Sequence, residues 1–321
     1  MKELKSFRLL GQNPMLAAFG IALGLLIFSF LASNGDPGIF GITVLSGLFQ
    51  GMLLFLVAAG LSIVFGLMGV LNFAQGSYFM IGAYASFAVF HEPGLAAIVP
   101  DENLRFVLAI LVAIAVGAVL GALLERILLR PLYARPIFQI VMTFGVYIVI
   151  GEAIKTLYGT TANSWGLFDL TSASFTIFSQ SFSIYRLIVI VAGLALVVGV
   201  ALLLRRTRIG IIIRAGVEDS EMVEALGINV RIVFTLVFAL GCAVAAFGGA
   251  IAAPFLGASP GLADQFLLAA IAVVALGGLG SYEGSAVGSV LVGLAVAVVA
   301  SFATHYLNQP VWADITPMLL L

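Results

Sequence analysis

Charged residues are scarce in this chain. Of its 321 residues only 9% are Asp, Glu, Lys or Arg, whereas 62% are hydrophobic. An ordinary soluble domain has about 25% charged residues, so this chain has too few of them to cover a surface that faces water. We therefore interpret it as an integral membrane protein.

Lysine and cysteine are rarer still. Lysine occurs only as Lys2, Lys5 and Lys155, and none of these fits the G-x-x-x-x-G-K-[ST] loop that binds nucleotide phosphates. We therefore expect that the chain does not hydrolyse ATP itself. The lone Cys242 offers no disulfide or metal framework, and no Ser/His pair, paired Asp or metal-ligand cluster occurs at membrane depth. We predict no catalytic residue, cofactor, metal site or nucleic-acid partner.

Long blocks of the chain carry no charge, beginning with the stretch between Asp36 and Glu92. A helix needs about 20 apolar residues to cross the hydrocarbon of a bilayer. The blocks predict spans near residues 15–33, 39–62, 74–90, 106–125, 137–157, 185–204, 232–253, 264–279 and 284–304, with a tenth beginning near Ile315. Frequent glycines inside continuous apolar runs exclude the alternation of a transmembrane β-barrel. We predict an all-α polytopic membrane protein with about 9–10 transmembrane helices, some broken or re-entrant, forming one domain over residues 1–321.

The basic residues indicate an orientation. If the spans alternate, Lys2, Lys5 and Arg8, then Arg126, Arg130 and Arg135, then the five arginines between 205 and 231 fall on one side. Cytoplasmic loops carry the excess of Lys and Arg. The amino terminus and the loop at 205–231 are therefore predicted to face the cytoplasm, and Asp264 to face outward. The largest outward loop, at 158–184, is predicted to pack through its aromatic residues or to help receive a binding protein.

The centres of the predicted spans hold no ionisable residue. A coupled ion or proton carrier usually keeps such a residue at depth, despite a cost of about 2.5–3.5 kcal/mol or more. The remaining candidates fall at helix ends or turns, and we interpret them as solvated: His91, Glu152, Lys155, Glu283 and His305. This pattern disfavours a secondary carrier without excluding one.

The stretch 205–231 holds nine of the charged residues. Within it, Asp219 or Ser220 is suited to cap a short helix, and Gly227 is suited to end it in a left-handed conformation. Met222, Val223 and Leu226 would form an apolar patch on that helix. Docking of a cytoplasmic partner, an interfacial helix at the lipid surface and an ordinary solvated loop remain open as interpretations.

The segment Gly60–Tyr84 holds five glycines at positions 60, 66, 69, 76 and 82. Each costs a helix about 1 kcal/mol relative to Ala, so the helix is predicted to break. A break would bring together Asn72, Gln75 and Ser77 as uncharged hydrogen-bonding groups. Broken helices in transporters often mark the substrate path, so Asn72, Gln75 and Gly76 are candidate pathway residues. The alternative is that the glycines permit close packing and the amides cap helix ends.

Three segments resemble the permease subunits of branched-chain amino acid ABC importers, the LivH and LivM kind. They are GLSIVFGLMGVLNFAQGSYFMIGAY at Gly60–Tyr84, RAGVEDSEMVEALGIN at Arg214–Asn229 and VALGGLGSYEGSAVG at Val274–Gly288. The chain departs from many members at Gln75, where they carry His. The second segment is similar to the family's cytoplasmic coupling loop, which assigns ATPase coupling to Glu218, Asp219, Glu221, Met222, Glu224, Ala225, Leu226, Gly227, Ile228 and Asn229.

The resemblance implies a permease in the cytoplasmic membrane that imports branched-chain or similar small amino acids. Its implied partners are two ABC ATPase subunits, a second permease subunit, an extracytoplasmic substrate-binding protein and the lipid bilayer. Two alternatives remain open. One is a secondary transporter or channel for a small neutral solute, and the other is an ABC permease for urea, amides or another small polar solute. A scaffold subunit is a further reading, and an intramembrane enzyme is disfavoured.

Overall fold

The apolar blocks fold into helices, because a helix satisfies all of its backbone hydrogen bonds without help from water. A computed structural model of the chain describes residues 14–33, 35–166, 168–177 and 180–304. The helices are α1 Pro14–Ala32, α2 Pro37–Met68, α3 Gln75–Phe90, α4 Pro93–Ile98, α5 Glu102–Leu124, α6 Pro136–Tyr158, α7 Asp169–Ser172, α8 Ile184–Arg206, α9 Arg208–Glu218, α10 Ser220–Ala225, α11 Val230–Leu256, α12 Leu262–Gly277 and α13 Tyr282–Phe302. A π-helical turn, Glu125–Leu129, and a 3-10 turn, Arg130–Leu132, follow α5.

Each of the nine spans predicted up to residue 304 coincides with a helix, which confirms the all-α membrane fold. Among the described residues, α2, α5, α6, α8, α11 and α13 are long and apolar enough to cross a membrane, and α1 and α12 are shorter apolar helices. The predicted tenth span, the basic residues near the amino terminus and His305 lie outside the described residues. The loop after α6 contains an element that the sequence did not predict, an antiparallel hairpin of β1 Ser174–Ile177 and β2 Gln180–Ser183.

Helix α2 lies at the centre of the bundle. Of its apolar window 78% is buried within the chain, whereas the value for α6 is 11%. Helix α2 packs against α13, α11, α12 and α8, and α11 packs in turn against α3 and α5. Helix α6 therefore lies at the periphery, with most of its surface turned away from the rest of the chain.

Small residues allow the central helices to approach closely. A Cβ added to Gly51 would lie 2.8 Å from the carbonyl oxygen of Ser289, and one added to Gly293 would lie 2.2 Å from the backbone nitrogen of Gly51. Gly284 lies equally close to Gly277. The turn between α12 and α13 falls at residues 278–281, so Gly277 and Gly284 pack together across it.

The two ends of the bundle differ in chemistry. We call one end the basic end; it consists of residues 125–135, 205–231 and 278–283, and an ion pair between Arg205 and Glu283 joins two of these segments. We call the other the aromatic end; it consists of the clustered rings of Phe90, His91, Phe106, Trp165 and Phe168. The rings of Phe90 and Trp165 are 4.9 Å apart. The loop after α6 thus packs through its aromatic residues.

Candidate functional site

The segment Gly60–Tyr84 breaks where the sequence predicts. Helix α2 ends at Met68, Gly69 takes a left-handed φ of 66°, and α3 begins at Gln75. Glycine adopts that conformation without the steric penalty of a side chain. The five intervening residues between Gly69 and Gln75 are not helical.

The amides predicted to meet at the break do meet. Asn72 Nδ2 donates to Gln75 Oε1 at 3.1 Å, and Asn72 Oδ1 accepts from the backbone N–H of Ala74 at 3.1 Å. Gln75 Nε2 donates to the carbonyl oxygen of Gly241 in α11 at 2.9 Å. Both side chains are fully buried. In this conformation the amides hold the break together and are not exposed at the surface of the chain.

The break lies inside the bundle and not at its end. Gly241 follows the first residue of α11 by eleven positions, which is about 16 Å at 1.5 Å per residue. Thr143 of α6 supports the non-helical backbone of the break, because its Oγ1 accepts a hydrogen bond from the N–H of Phe73 at 3.2 Å. Non-helical backbone at such depth needs partners from the protein, and Thr143, which the sequence gave no reason to single out, is one of them.

Gly76 is held tightly as well. A Cβ at this position would lie 2.2 Å from the carbonyl oxygen of Ala263 in α12. The break is thereby packed against the first turn of α12. Ser77, the third polar residue of the segment, is fully buried, and its Oγ has no hydrogen-bond partner among the described residues.

The predicted coupling segment forms α10 and its two flanks. Asp219 Oδ1 accepts from the backbone N–H of Met222 at 2.9 Å and so caps α10. Gly227 takes a φ of 82°, as predicted for the residue that stops the helix. Glu218 ends α9, and Asn229 Oδ1 caps α11 by accepting from the N–H of Arg231 at 3.1 Å. The side chain of Glu221 lies outside the described part of the chain.

The apolar patch predicted on α10 divides into two parts. Val223 is 4% exposed and packs inward, whereas Met222 and Leu226 are 62% and 74% exposed. Glu224 and Ala225 are also exposed, and Ile228 is half-buried. A cleft of about 350 Å³ beside them is lined by Glu224, Gly227, Ile228, Asn229 and Arg231. Helix α10 is therefore anchored by one side chain and presents two large apolar side chains outward.

A buried ionic cluster, which the sequence analysis missed, ties the start of α11 to the turn after α5. Glu125 is fully buried, and its carboxylate accepts from Arg130 Nη2 at 3.4 Å and from Thr235 Oγ1 at 2.5 Å. The Tyr133 hydroxyl also donates to it. Arg130 donates in addition to Thr235 Oγ1 at 2.8 Å and to the carbonyl oxygen of Arg231 at 3.3 Å.

Burial, together with the adjacent Glu125 carboxylate, raises the pKa of Tyr133 above its ordinary value. Tyr133 therefore stays protonated and remains a donor to Glu125. The cluster joins residues 125–133 to the first turns of α11, which begins directly after the coupling segment. Movement of that segment would therefore reach the turn after α5 as well as α11.

Asp264 makes a contact that the sequence analysis did not predict. The Tyr147 hydroxyl donates to Asp264 Oδ1, and Tyr147 follows the first residue of α6 by eleven positions. That is about 16 Å along the helix, near the middle of α6. Ala258, which precedes α12, pairs with Asn163 in the loop after α6. Helix α12 therefore begins between that loop and the break, and the side of the membrane that Asp264 faces stays a prediction.

Comparison with known proteins places these features in a family. The model of the branched-chain amino acid transport system permease component matches residues 43–321. The high-affinity branched-chain amino acid transport system permease protein LivH of Escherichia coli K12 is 27% identical over 287 residues, which cover 86% of this chain and 91% of that protein. The high-affinity branched-chain amino acid transport system permease protein BraD of Pseudomonas aeruginosa is 28% identical over 262 residues, which cover 79% of this chain and 84% of that protein.

A probable LivH of the archaeon Methanocaldococcus jannaschii is 27% identical over 255 residues, which cover 79% of this chain and 78% of that protein. No solved structure gives a significant match. The family model covers most of the chain, including the broken helix, the coupling segment and the buried ionic cluster. The chain therefore belongs to the family of branched-chain amino acid transport system permease components.

Proposed function

We propose that the chain is the transmembrane permease subunit of a binding-protein-dependent ABC importer for branched-chain or similar small amino acids. The observation that carries this proposal is the path of α11. The helix begins directly after the exposed α10 and receives the Gln75 amide at Gly241, about 16 Å further on. One rigid element thus connects a surface suited to docking with the broken helix.

The basic end faces the cytoplasm in this proposal, and so does the amino terminus. The arginines between 205 and 231, together with Arg126, Arg130 and Arg135, gather at this end, in agreement with the excess of basic residues in cytoplasmic loops. The chain is a multi-pass protein of the cytoplasmic membrane, and residues 205–231 form its cytoplasmic coupling loop within a single transmembrane domain.

Two ABC ATPase subunits supply the energy, one of them through α10. The side chains of Met222 and Leu226 fit an apolar groove, while Glu224 and the cleft beside it offer polar contacts. ATP-driven movement of the ATPases displaces Glu218–Asn229, and α11 carries that displacement to the break. A rigid helix and its buried ionic cluster suit this role better than a solvated loop would.

Substrate passes the break at Asn72, Gln75 and Gly76. In the conformation described these residues bond to one another and to neighbouring helices, so the pathway is closed there. Movement of α6 away from α3 and α12 would open the break to a polar solute. The branched-chain substrate is inferred from the names of the relatives.

Further partners complete the importer. A second permease subunit, identical or homologous, faces this one, and a substrate-binding protein docks outside at the aromatic end. Transport of urea, amides or another small polar solute by the same architecture is a related alternative, since the amides at the break suit such solutes. A secondary transporter or channel would work without ATPase subunits.

The test begins with purification of the complex from its native membrane and identification of the accompanying proteins and ligand. The complex is then reconstituted in liposomes, and the binding protein is added outside them. Uptake of labelled leucine, isoleucine and valine is measured with and without ATP inside the liposomes. ATP-dependent uptake supports the proposal. Gradient-driven flux by this chain alone, without ATP, would favour the channel or carrier.

Coupling is tested by Glu224→Lys and Gly227→Pro. The first reverses a charge on the exposed face of α10, and the second is incompatible with a φ of 82° because proline fixes φ near −65°. Both variants should insert and assemble in the membrane, with ATP hydrolysis no longer producing uptake. The matched control is Arg126→Glu, an exposed charge reversal at the same end of the bundle but outside residues 218–229. Full substrate-stimulated ATPase activity and uptake in both coupling variants would contradict the proposal.

A further inference from the structure

Asp264 is a carboxylate without a countercharge. Within the described ranges, no lysine, arginine or histidine forms an ion pair with it. Its hydrogen bond comes from the Tyr147 hydroxyl, a neutral donor. A carboxylate without an ion-pair partner among the described residues is a candidate to bind a cation.

The position of Asp264 is set by two independent contacts. Tyr147 lies near the middle of the 23-residue helix α6. Ala263, the neighbour of Asp264, packs closely against Gly76. Gly76 follows Gln75, whose side chain bonds to Gly241 in the interior of α11. Asp264 therefore lies inside the span of the bundle and one residue from the backbone that closes the break.

The surroundings of Asp264 are open on one side. Asp264 and Gln265 are exposed in the single chain, and Leu268, one turn further along α12, is 52% exposed. Helix α6, which carries Tyr147, is buried little. An ionised carboxylate that faced lipid at this depth would be strongly disfavoured, and intramembrane ionisable residues usually face a bundle interior or a water-filled path. This side of α12 therefore faces the interior of the assembled importer.

We propose that Asp264, oriented by Tyr147, binds the ammonium group of an amino-acid substrate as it passes the break. This inference rests on the proposed function and makes it more specific, since it requires a substrate with a cationic nitrogen. Charge-assisted hydrogen bonds from an ammonium group are the strong kind, and Asp264 offers one oxygen beyond the one that Tyr147 engages. The uncharged Asn72 and Gln75 alone do not discriminate an amino acid from a neutral amide.

The experiment compares wild type with Asp264→Asn, Asp264→Glu and Tyr147→Phe in the complete importer, reconstituted with its binding protein. The control is Asp36→Asn, which also removes a carboxylate but leaves a residue that caps α2 equally well. Labelled leucine, isoleucine, valine, urea and putrescine are the probes. Co-purification of all subunits and basal ATPase activity are measured alongside uptake.

We expect Asp264→Asn to lower amino-acid uptake about 10- to 100-fold, the effect of losing a hydrogen bond to a charged group. Tyr147→Phe should lower it about 2- to 10-fold, since a neutral donor is lost. Asp264→Glu should recover part of the loss, and Asp36→Asn should match wild type. Subunit assembly should be unchanged in all variants, and basal ATPase activity should be unchanged in Asp36→Asn.

The outcomes separate this inference from the proposed function. Equal amino-acid uptake by wild type and Asp264→Asn would refute the inference alone. Loss of subunit assembly in Asp264→Asn would also refute it, because Asp264 would then serve an interface. ATP-dependent uptake of urea only would refute both the amino-acid substrate and the inference. Uptake of putrescine only would refute the amino-acid substrate and, with it, the inference as stated.

Discussion

The buried ionic cluster around Glu125 leads to a quantitative prediction. Glu125 is fully buried, and Arg130 is the cation that neutralises it, with a side chain 27% exposed. Replacing Arg130 by methionine keeps much of the side-chain volume and leaves the carboxylate with the neutral donors Tyr133 and Thr235. Removing one partner of a buried ion pair costs about 3–5 kcal/mol. Because Arg130 is partly solvated and two donors remain, we expect Arg130→Met to lower the free energy of unfolding by about 2–3 kcal/mol.

The double variant Glu125→Gln/Arg130→Met removes both charges. The glutamine amide oxygen still accepts from Tyr133 and Thr235, so the double variant should be more stable than Arg130→Met alone. We expect an interaction free energy between the two positions of at least about 1 kcal/mol. Reversible unfolding in mixed detergent micelles, titrated with SDS, measures each difference.

Arg126 provides the matched control. It lies in the same π-helical turn as Glu125, is exposed, and forms no ion pair within the described residues. Arg126→Met should change the free energy of unfolding by less than about 0.5 kcal/mol. If Arg130→Met and Arg126→Met have the same free energy of unfolding, the ion pair of the cluster contributes no measurable stability and the reasoning from burial is refuted.

Two further predictions concern close packing and capping. Gly82→Ala should abolish recovery of folded protein, because a Cβ there would lie 2.0 Å from the carbonyl oxygen of Ala246. Gly145→Ala, where a Cβ would have nothing within 4 Å, should leave the yield of folded protein unchanged. Equal yields of the two variants by size-exclusion chromatography would contradict this. Asp219→Ala should destabilise α10 by about 1 kcal/mol through loss of its cap, whereas Asp219→Asn should not. Hydrogen exchange at the amides of α10 measures that difference, and equal protection in both variants would show that the cap contributes nothing.

Local rules were sufficient where neighbours in sequence decide the structure. The charge-free blocks predicted each described span, and the glycines of Gly60–Tyr84 predicted the break at Gly69. The Asp219 cap and the left-handed Gly227 follow from the preferences of helix ends. All of these features depend on residues fewer than about ten positions apart.

Features made by distant residues were missed. The sequence analysis did not single out Glu125, because Thr235, which binds it, lies 110 positions away. The contact between Tyr147 and Asp264 was not predicted either, because these residues lie 117 positions apart. The roles of Thr143 and of the hairpin β1–β2 likewise depend on contacts that form only in the folded chain.

The contact between α3 and α11 limits how the protein can move. A Cβ on Gly249 would lie 1.8 Å from the carbonyl oxygen of Phe79, so no side chain separates the two backbones at that point. Interiors packed this closely switch between discrete arrangements and do not deform gradually. In the proposed transport cycle the two helices would therefore move together as one rigid unit, and the break would open on the side of α6, which is buried little.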